Sequence, residues 1–137
     1  MLELKNISKS YGAQLILNSI NLTVEPNQLV SILGPSGSGK STLLQIIGLL
    51  QKPDEGEIHL NGVHYDELKE SDLANFRNTQ LGFVFQFHFL LPEFTALENV
   101  MIPALKLGKY SREEIEHRAM EKLRIFDMQD HALKKAN

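Results

Sequence analysis

The sequence predicts an α/β fold with an antiparallel β extension at its N-terminal side. Alternating apolar and polar residues before position 25 are typical of half-buried strands. A short apolar run, a glycine-rich turn and a helical segment follow over residues 29–50. After position 95 the pattern becomes helical. Strands first, helices later and a strand–loop–helix unit between them favour this fold class.

The N-terminal segment contains two candidate strands and a third of different character. Residues 2–7 alternate like a half-buried strand, and residues 15–24 form a second strand region that ends before a Pro26-Asn27 turn. Residues 29–33, Leu-Val-Ser-Ile-Leu, are continuously apolar and end at Gly34. Such a run predicts a strand buried on both faces.

The middle of the chain alternates between helix and strand signals. Residues 39–50 predict a helix that stops near Pro53. Residues 57–60 and 63–65 predict two short strands, because the intervening Asn61-Gly62 is a strong hairpin signal.

A further helix and strand are expected after this hairpin. Ser71 is positioned to cap a short helix that ends near residue 78. Residues 81–85 predict another strand, which ends at Gln86.

Two helices are predicted in the last third of the chain, each opened by a capping box. Thr95 and Glu98 start one that reaches about residue 107, and Pro103 is expected to kink or split it. Ser111 and Glu114 start the other. Its apolar face is expected to contain Ile115, Ala119, Leu123 and Phe126.

The composition is that of an ordinary globular protein. Of 137 residues, 42% are hydrophobic and 23% charged, and the net charge of −3 argues against a general nucleic-acid surface. Without cysteine, disulfides and Cys-based metal sites are excluded. The N-terminus lacks the layout of a signal peptide, and no apolar stretch reaches membrane-spanning length. We therefore expect a cytoplasmic protein that reaches a membrane only through a partner.

The most specific motif lies between the short apolar run and the helix. It matches G-x-x-x-x-G-K-[S/T], the phosphate-binding P-loop, and consists of Gly34, Pro35, Ser36, Gly37, Ser38, Gly39, Lys40, Ser41 and Thr42. Glycines let backbone N–H groups converge on phosphate oxygens, where the positive end of the helix also points. Lys40 is expected to reach the β- and γ-phosphates and Ser41 to bind Mg²⁺. The motif predicts binding of a nucleoside triphosphate, ATP; the alternative is a Gly-Ser-rich turn before a helix.

The amino-acid sequence of this loop resembles that of the ATP-binding subunits of ABC transporters. Tyr11 stands where that family has an aromatic residue that stacks on adenine; the alternative is a surface tyrosine. Gln86, after Gly82-Phe83-Val84-Phe85, resembles the family's glutamine loop, whose amide reaches Mg²⁺ and the attacking water. The resemblance implies ATP and Mg²⁺ as cofactors, with Ser41 and Gln86 as metal ligands and with Lys40 and Gln86 as catalytic residues.

Residues 87–100 resemble the ATPase of lipoprotein-releasing (Lol-type) and macrolide-export ABC systems. The resemblance implies that the region from Gln86 to Val100 docks on transmembrane subunits; an internal mini-core is the alternative. Phe89 departs from the pattern, where a second histidine is expected beside His88. The family resemblance also implies a head-to-tail homodimer that is peripheral at the inner membrane. It gives no reason to expect a nucleic-acid partner.

The resemblance covers residues 1–137 but only the N-terminal part of the family domain. Residues 1–86 correspond to the nucleotide-binding core with its P-loop at 34–42, and residues 87–137 to the start of the helical subdomain. Signature, Walker B and switch-histidine motifs are absent from the sequence, so the sheet is expected to be incomplete. We expect an N-terminal fragment that binds nucleotide but hydrolyses it poorly or not at all.

Three other functions remain open from the sequence. The chain could be a soluble ABC-type ATPase that does not serve transport, or a binding-only module that competes for a transporter subunit. A small-molecule P-loop kinase is the third, although the antiparallel N-terminal strands and Tyr11 argue against it.

Overall fold

A computed structural model describes residues 1–65, 68–85 and 89–135 of the chain. The chain divides into two compact units, Met1–Leu81 and Gly82–Asn137. Gln86 and His88, both singled out in the sequence, lie outside the described residues.

The first unit is built on a four-stranded antiparallel sheet. Its strands are β1 (Leu2–Tyr11), β2 (Gln14–Val24), β3 (Glu55–Leu60) and β4 (Val63–His64), in the order β2-β1-β3-β4. The hairpin expected at Asn61-Gly62 is confirmed. Both turn residues have positive φ, 52° and 80°, as a two-residue turn between twisted strands requires.

One face of this sheet is covered by helix α1 (Lys40–Ile47). The buried residues of β1, Leu4 and Ile7, are three positions apart, and an irregularity in the pairing between them brings both to that face. The core of this unit is made of buried side chains from Leu4, Ile7, Leu17, Leu43, Ile46, Leu49, Ile58, Tyr65 and Leu73. Helix α1 ends sooner than expected, with Gly48 as its C-cap.

The strands expected at residues 29–33 and 81–85 are wrong for this structure. Neither segment is a strand, and in the described part of the chain no strand pairs with either. An isolated extended segment leaves its backbone groups without ladder partners. Because no strand lies beside this segment, Leu29 and Leu33 are 94% and 90% exposed, whereas Ile32 packs against the core.

Helix α2 (Glu70–Gln80) begins two residues earlier than expected and is capped by a different residue. Lys69, in extended conformation, is its N-cap, and Ser71 lies inside the helix. Two acidic residues in the first turn, Glu70 and Asp72, complement the positive end of the helix. Arg77 fixes its far end by donating to the Leu49 carbonyl at 2.7 Å.

The second unit pairs helices α3 (Ala96–Leu107) and α4 (Arg112–Ile125). The expected capping box of Thr95 is confirmed: Thr95 accepts from the Glu98 N–H, and the Glu98 carboxylate accepts from the Thr95 N–H at 2.8 Å. Pro103 neither ends nor splits α3, which continues to its Gly108 cap. No helix in the described part of the chain has both the length and the apolar character needed to cross a bilayer.

The contact between α3 and α4 follows the predicted periodicity except at its end. Ile115, Ala119 and Leu123 are buried with Leu97, Met101 and Ala132 in the core of this unit. Phe126, expected on the same face, is 75% exposed. It is the C-cap of α4 and no longer follows the helical period.

We expect Thr95→Ala to destabilise the second unit by about 1 kcal/mol, since it removes the side-chain half of the capping box. Ser71→Ala is the matched control and should change stability by less than about 0.5 kcal/mol, because Ser71 lies within α2 and does not cap it. Urea denaturation followed by circular dichroism measures both. Equal losses for the two variants would contradict the capping assignment.

Candidate functional site

The loop at residues 34–39 is closed by the first side chain of the helix that follows it. Lys40 begins α1, and its Nζ donates to the carbonyl oxygens of Gly34 at 2.9 Å and Pro35 at 2.6 Å. The ammonium therefore bends back over the start of the loop. A turn inside the loop, with the Ser38 N–H donating to the Pro35 carbonyl at 3.3 Å, completes its curl.

Gly39 joins the loop to the sheet. Its φ of 87° is in the left-handed region, which glycine adopts without steric cost. A Cβ at this position would stand 3.0 Å from side-chain atoms of Ile16 and Leu17 and 3.2 Å from the Ile16 carbonyl. The loop backbone thus passes directly against β2. Only a glycine accommodates both the conformation and the close approach.

The helix that carries Lys40 is packed against the sheet. Leu43 and Ile46, three residues apart and on one face, are buried against the sheet. The first turn of α1 contains no acidic side chain, so the positive end of the helix is not neutralised locally. Backbone amides at such an end are an established setting for phosphate groups.

The outer surface of the loop is open to solvent. Ser36, Gly37, Ser38 and Ser41 are exposed, and Thr42 is half-buried. The hydroxyl of Ser41 lies at the second position of α1, next to the lysine. The arrangement offers an ammonium, uncapped helix amides and hydroxyl groups to an anion that arrives from solvent.

Tyr11 lies at the end of β1 and is anchored by its hydroxyl. The hydroxyl donates to Gln51 Oε1 at 2.8 Å, and the residue is 48% exposed. Gln51 follows the helix that begins with Lys40. Tyr11 is thus about half exposed while its hydroxyl is fixed.

Asp54 fixes the strand end that carries Tyr11. Its carboxylate accepts from the Lys9 ammonium and, at 2.7 Å, from the Ser10 N–H. The hydrogen bond from Lys9, followed by that from Ser10, holds the pKa of Asp54 below its ordinary value. Asp54 and Gln51 were not singled out in the sequence, because their partners lie at least forty positions away and no local spacing reveals the pairing.

The structure brings some of the candidate residues together. Gly34, Pro35, Ser38, Gly39 and Lys40 contact one another or the adjoining strand as described above. The Tyr11 hydroxyl contacts Gln51, in the segment that follows α1. Gln86 lies outside the described residues, so its expected approach to a metal ion stays a prediction.

The chain is similar to proteins of known family over nearly its whole length. Residues 17–137 match the family model described as ABC transporter. The lipoprotein-releasing system ATP-binding protein LolD of Bacteroides thetaiotaomicron is 51% identical over 137 residues, which are 100% of this chain and 62% of that protein. LolD of Aquifex aeolicus is 52% identical over 116 residues, 85% of this chain and 52% of that protein.

A solved structure has the same fold. The dimeric, post-hydrolysis state of the ATP-binding cassette MJ0796 bound to ADP and Pi matches with a TM-score of 0.89 and 42% identity. The match covers 100% of this chain and 62% of that one. The chain thus spans about three fifths of the length of the relatives it resembles.

We expect Gly39→Ala to destabilise the first unit more than Gly37→Ala. Both residues have positive φ, so alanine costs each about 1–2 kcal/mol in backbone strain. At Gly39 the added methyl also presses on Ile16 and Leu17, which costs about 1–3 kcal/mol more, whereas at Gly37 it meets nothing within 4 Å. Urea midpoints compare the two variants. If they are equally stable, the loop does not pack on β2 as described.

Proposed function

The chain belongs to the ABC transporter family, and from this membership we propose that it binds ATP as the nucleotide-binding subunit of a lipoprotein-releasing or related export system. In the complete protein, ATP hydrolysis would drive transport. The observation that carries the proposal is the curled loop 34–39, with the Lys40 ammonium lying over it at the start of a helix.

The residue roles follow from the chemistry of the loop. Backbone N–H groups from Gly37 to Ser41 bind the phosphate oxygens, with the helix dipole adding to the attraction. Lys40 exchanges its two carbonyl contacts for oxygens of the β- and γ-phosphates. The remaining loop residues, Gly34, Pro35, Ser36 and Thr42, shape the cradle.

The donor set also suits a hard cation. Mg²⁺ prefers oxygen ligands, keeps several waters and is commonly shared with substrate phosphates. The exposed Ser41 hydroxyl, adjacent to Lys40, offers such an oxygen. Mg²⁺ would neutralise phosphate charge there, and Gln86 is proposed as its second protein ligand. Tyr11, half exposed and fixed by Gln51, would stack on adenine.

We expect Lys40→Ala to weaken binding of Mg-ATP at least tenfold, because a charged hydrogen bond to phosphate contributes about 1.5–3 kcal/mol. Lys52→Ala is the matched control, since Lys52 is exposed and lies outside the loop. Isothermal calorimetry measures both affinities, and circular dichroism verifies folding. Unchanged affinity in Lys40→Ala would refute the proposed site.

We also propose that residues 89–94 belong to the surface that docks on the transmembrane subunits. Phe89, Leu90, Leu91 and Phe94 are each at least 40% exposed. The core of the second unit is formed by other residues. This arrangement supports an interface over an internal mini-core, because a run of exposed apolar side chains is typical of interaction sites.

Asn99 holds this surface in shape. Its Oδ1 accepts from the Leu91 N–H at 2.8 Å, and its Nδ2 donates to the carbonyls of Leu91 at 3.1 Å and Thr95 at 3.0 Å. The turn from Leu91 to Thr95 is thereby tied to the first turns of α3. A surface fixed in advance loses less conformational entropy when a partner binds.

The assembly and location are proposed on the same basis. A head-to-tail homodimer agrees with the dimeric state of the structurally similar cassette MJ0796. Docking on transmembrane subunits would hold the protein at the cytoplasmic face of the inner membrane. The name of the LolD relatives, which refers to lipoprotein release, supports a lipoprotein as the cargo of the system.

We expect Phe89→Ser and Leu90→Gln to reduce copurification with the membrane subunit of a lipoprotein-releasing system. Phe126→Ser is the matched control for Phe89→Ser, because Phe126 is about as exposed as Phe89 but lies at the end of α4. Asn99→Ala keeps the apolar side chains and releases the turn, so it should weaken copurification too. Equal retention by all four variants would contradict this surface, without bearing on nucleotide binding.

A further inference from the structure

One face of the sheet in the first unit carries a group of imidazole and carboxylate side chains. On β3, Glu57 and His59 are two residues apart and therefore on the same side, whereas Ile58 between them is buried in the core. His64 on β4 is paired directly with His59 across the hairpin. Directly opposed residues of an antiparallel pair share a face, so all three side chains lie together.

The side chains of this group are in mutual contact. The rings of His59 and His64 stack with centroids 4.6 Å apart and planes 7° from parallel. His59 Nε2 lies 3.0 Å from Glu57 Oε2. This hydrogen bond, with the charge of His64 as a smaller contribution, holds the pKa of Glu57 below its ordinary value. The ligand atoms of the three side chains therefore already converge on this face of the sheet.

We propose that Glu57, His59 and His64 bind a divalent transition-metal ion of the zinc class. Two imidazoles and one carboxylate form a ligand set suited to such ions, with water in the fourth position. The three residues bring one ligand atom each to within 4.8 Å of the others. The site is separate from the loop at 34–42 and does not depend on the proposed nucleotide binding.

To bind a metal ion, the ligand atoms of the three side chains, which lie within 4.8 Å of one another, need to move only slightly closer together. Tetrahedral zinc with bonds of about 2.0 Å places nitrogen ligands about 3.3 Å apart. The side chains of Glu57 and His59 are 53% and 25% exposed, so both can adjust their positions from the solvent side. The hairpin itself, fixed by the Asn61-Gly62 turn, keeps the ligands in register.

The neighbouring strand tunes the charge around the site. Glu3 on β1 is paired with His59, and Lys5 is paired with Glu57, so both lie on this face. Lys5 Nζ contacts Glu3 Oε2 at 3.2 Å and thereby offsets its charge. Loss of the lysine charge leaves two carboxylates beside the imidazoles. Lys5→Gln is therefore expected to tighten metal binding.

The test is a titration of the folded chain with Zn²⁺ against a chromophoric chelator, with Co²⁺ absorption as a report on coordination. We expect saturation at one ion per chain. Glu57→Gln and His59→Gln should each weaken binding at least about tenfold, since each removes a direct ligand. His64→Gln should do the same, with circular dichroism to verify its fold. Zn²⁺ should raise the melting temperature of the original chain but not that of His59→Gln.

The matched control is His117→Gln, which removes an imidazole that faces Glu121 across one turn of exposed α4. It should leave zinc affinity unchanged, as should Lys40→Ala and a large excess of Mg²⁺, which prefers oxygen ligands. The proposal is overturned if the folded chain shows no saturable site. It is equally overturned if Glu57→Gln and His59→Gln retain full affinity, or if His117→Gln loses as much as they do.

Discussion

The close approach of Gly39 to strand β2 is the constraint on which the rest of the phosphate loop depends. This contact positions the loop on the sheet. Gly39, in the left-handed conformation, is the N-cap of helix α1, and the side chain of the next residue, Lys40, lies back over the loop. Burial of Leu43 and Ile46 then makes the helix a fixed extension of the core. The polar groups that face solvent at this end are consequently held by apolar contacts beneath them, which is how a site becomes preorganised for an anion.

The second unit also has an exposed segment fixed next to a packed core, but here side-chain hydrogen bonds fix it. Its core is formed by the facing stripes of α3 and α4, and its outward-facing turn at 91–95 is held by hydrogen bonds from Thr95, Glu98 and Asn99. A run of exposed apolar side chains is typical of interaction sites. Here hydrogen bonds also fix the backbone of the turn that carries them, which supports their proposed role in docking.

Local rules predicted much of this structure from the sequence. The Asn61-Gly62 hairpin and the Thr95 cap were predictable because their signals act within four residues. Segment 29–33 was not, because a strand needs a neighbour that periodicity alone cannot supply. In the site, the motif predicted the loop residues. The anchors Gln51 and Asp54 depend on partners at least forty positions away, which no local pattern encodes, whereas the pairing of His59 with His64 follows from the Asn61-Gly62 turn.

Amide-resolved NMR during a titration with Mg-ATP tests whether the loop at residues 34–42 binds the phosphates. If the loop binds the phosphates, the backbone amides of Gly34 and of residues 36–42 shift first and most, together with the Lys40 side-chain resonance, because phosphate oxygens replace solvent and carbonyl partners there. The amides of α4 should change little. Binding that left the amides of this loop unperturbed, or no binding by folded protein, would contradict the assignment of this loop as the phosphate site.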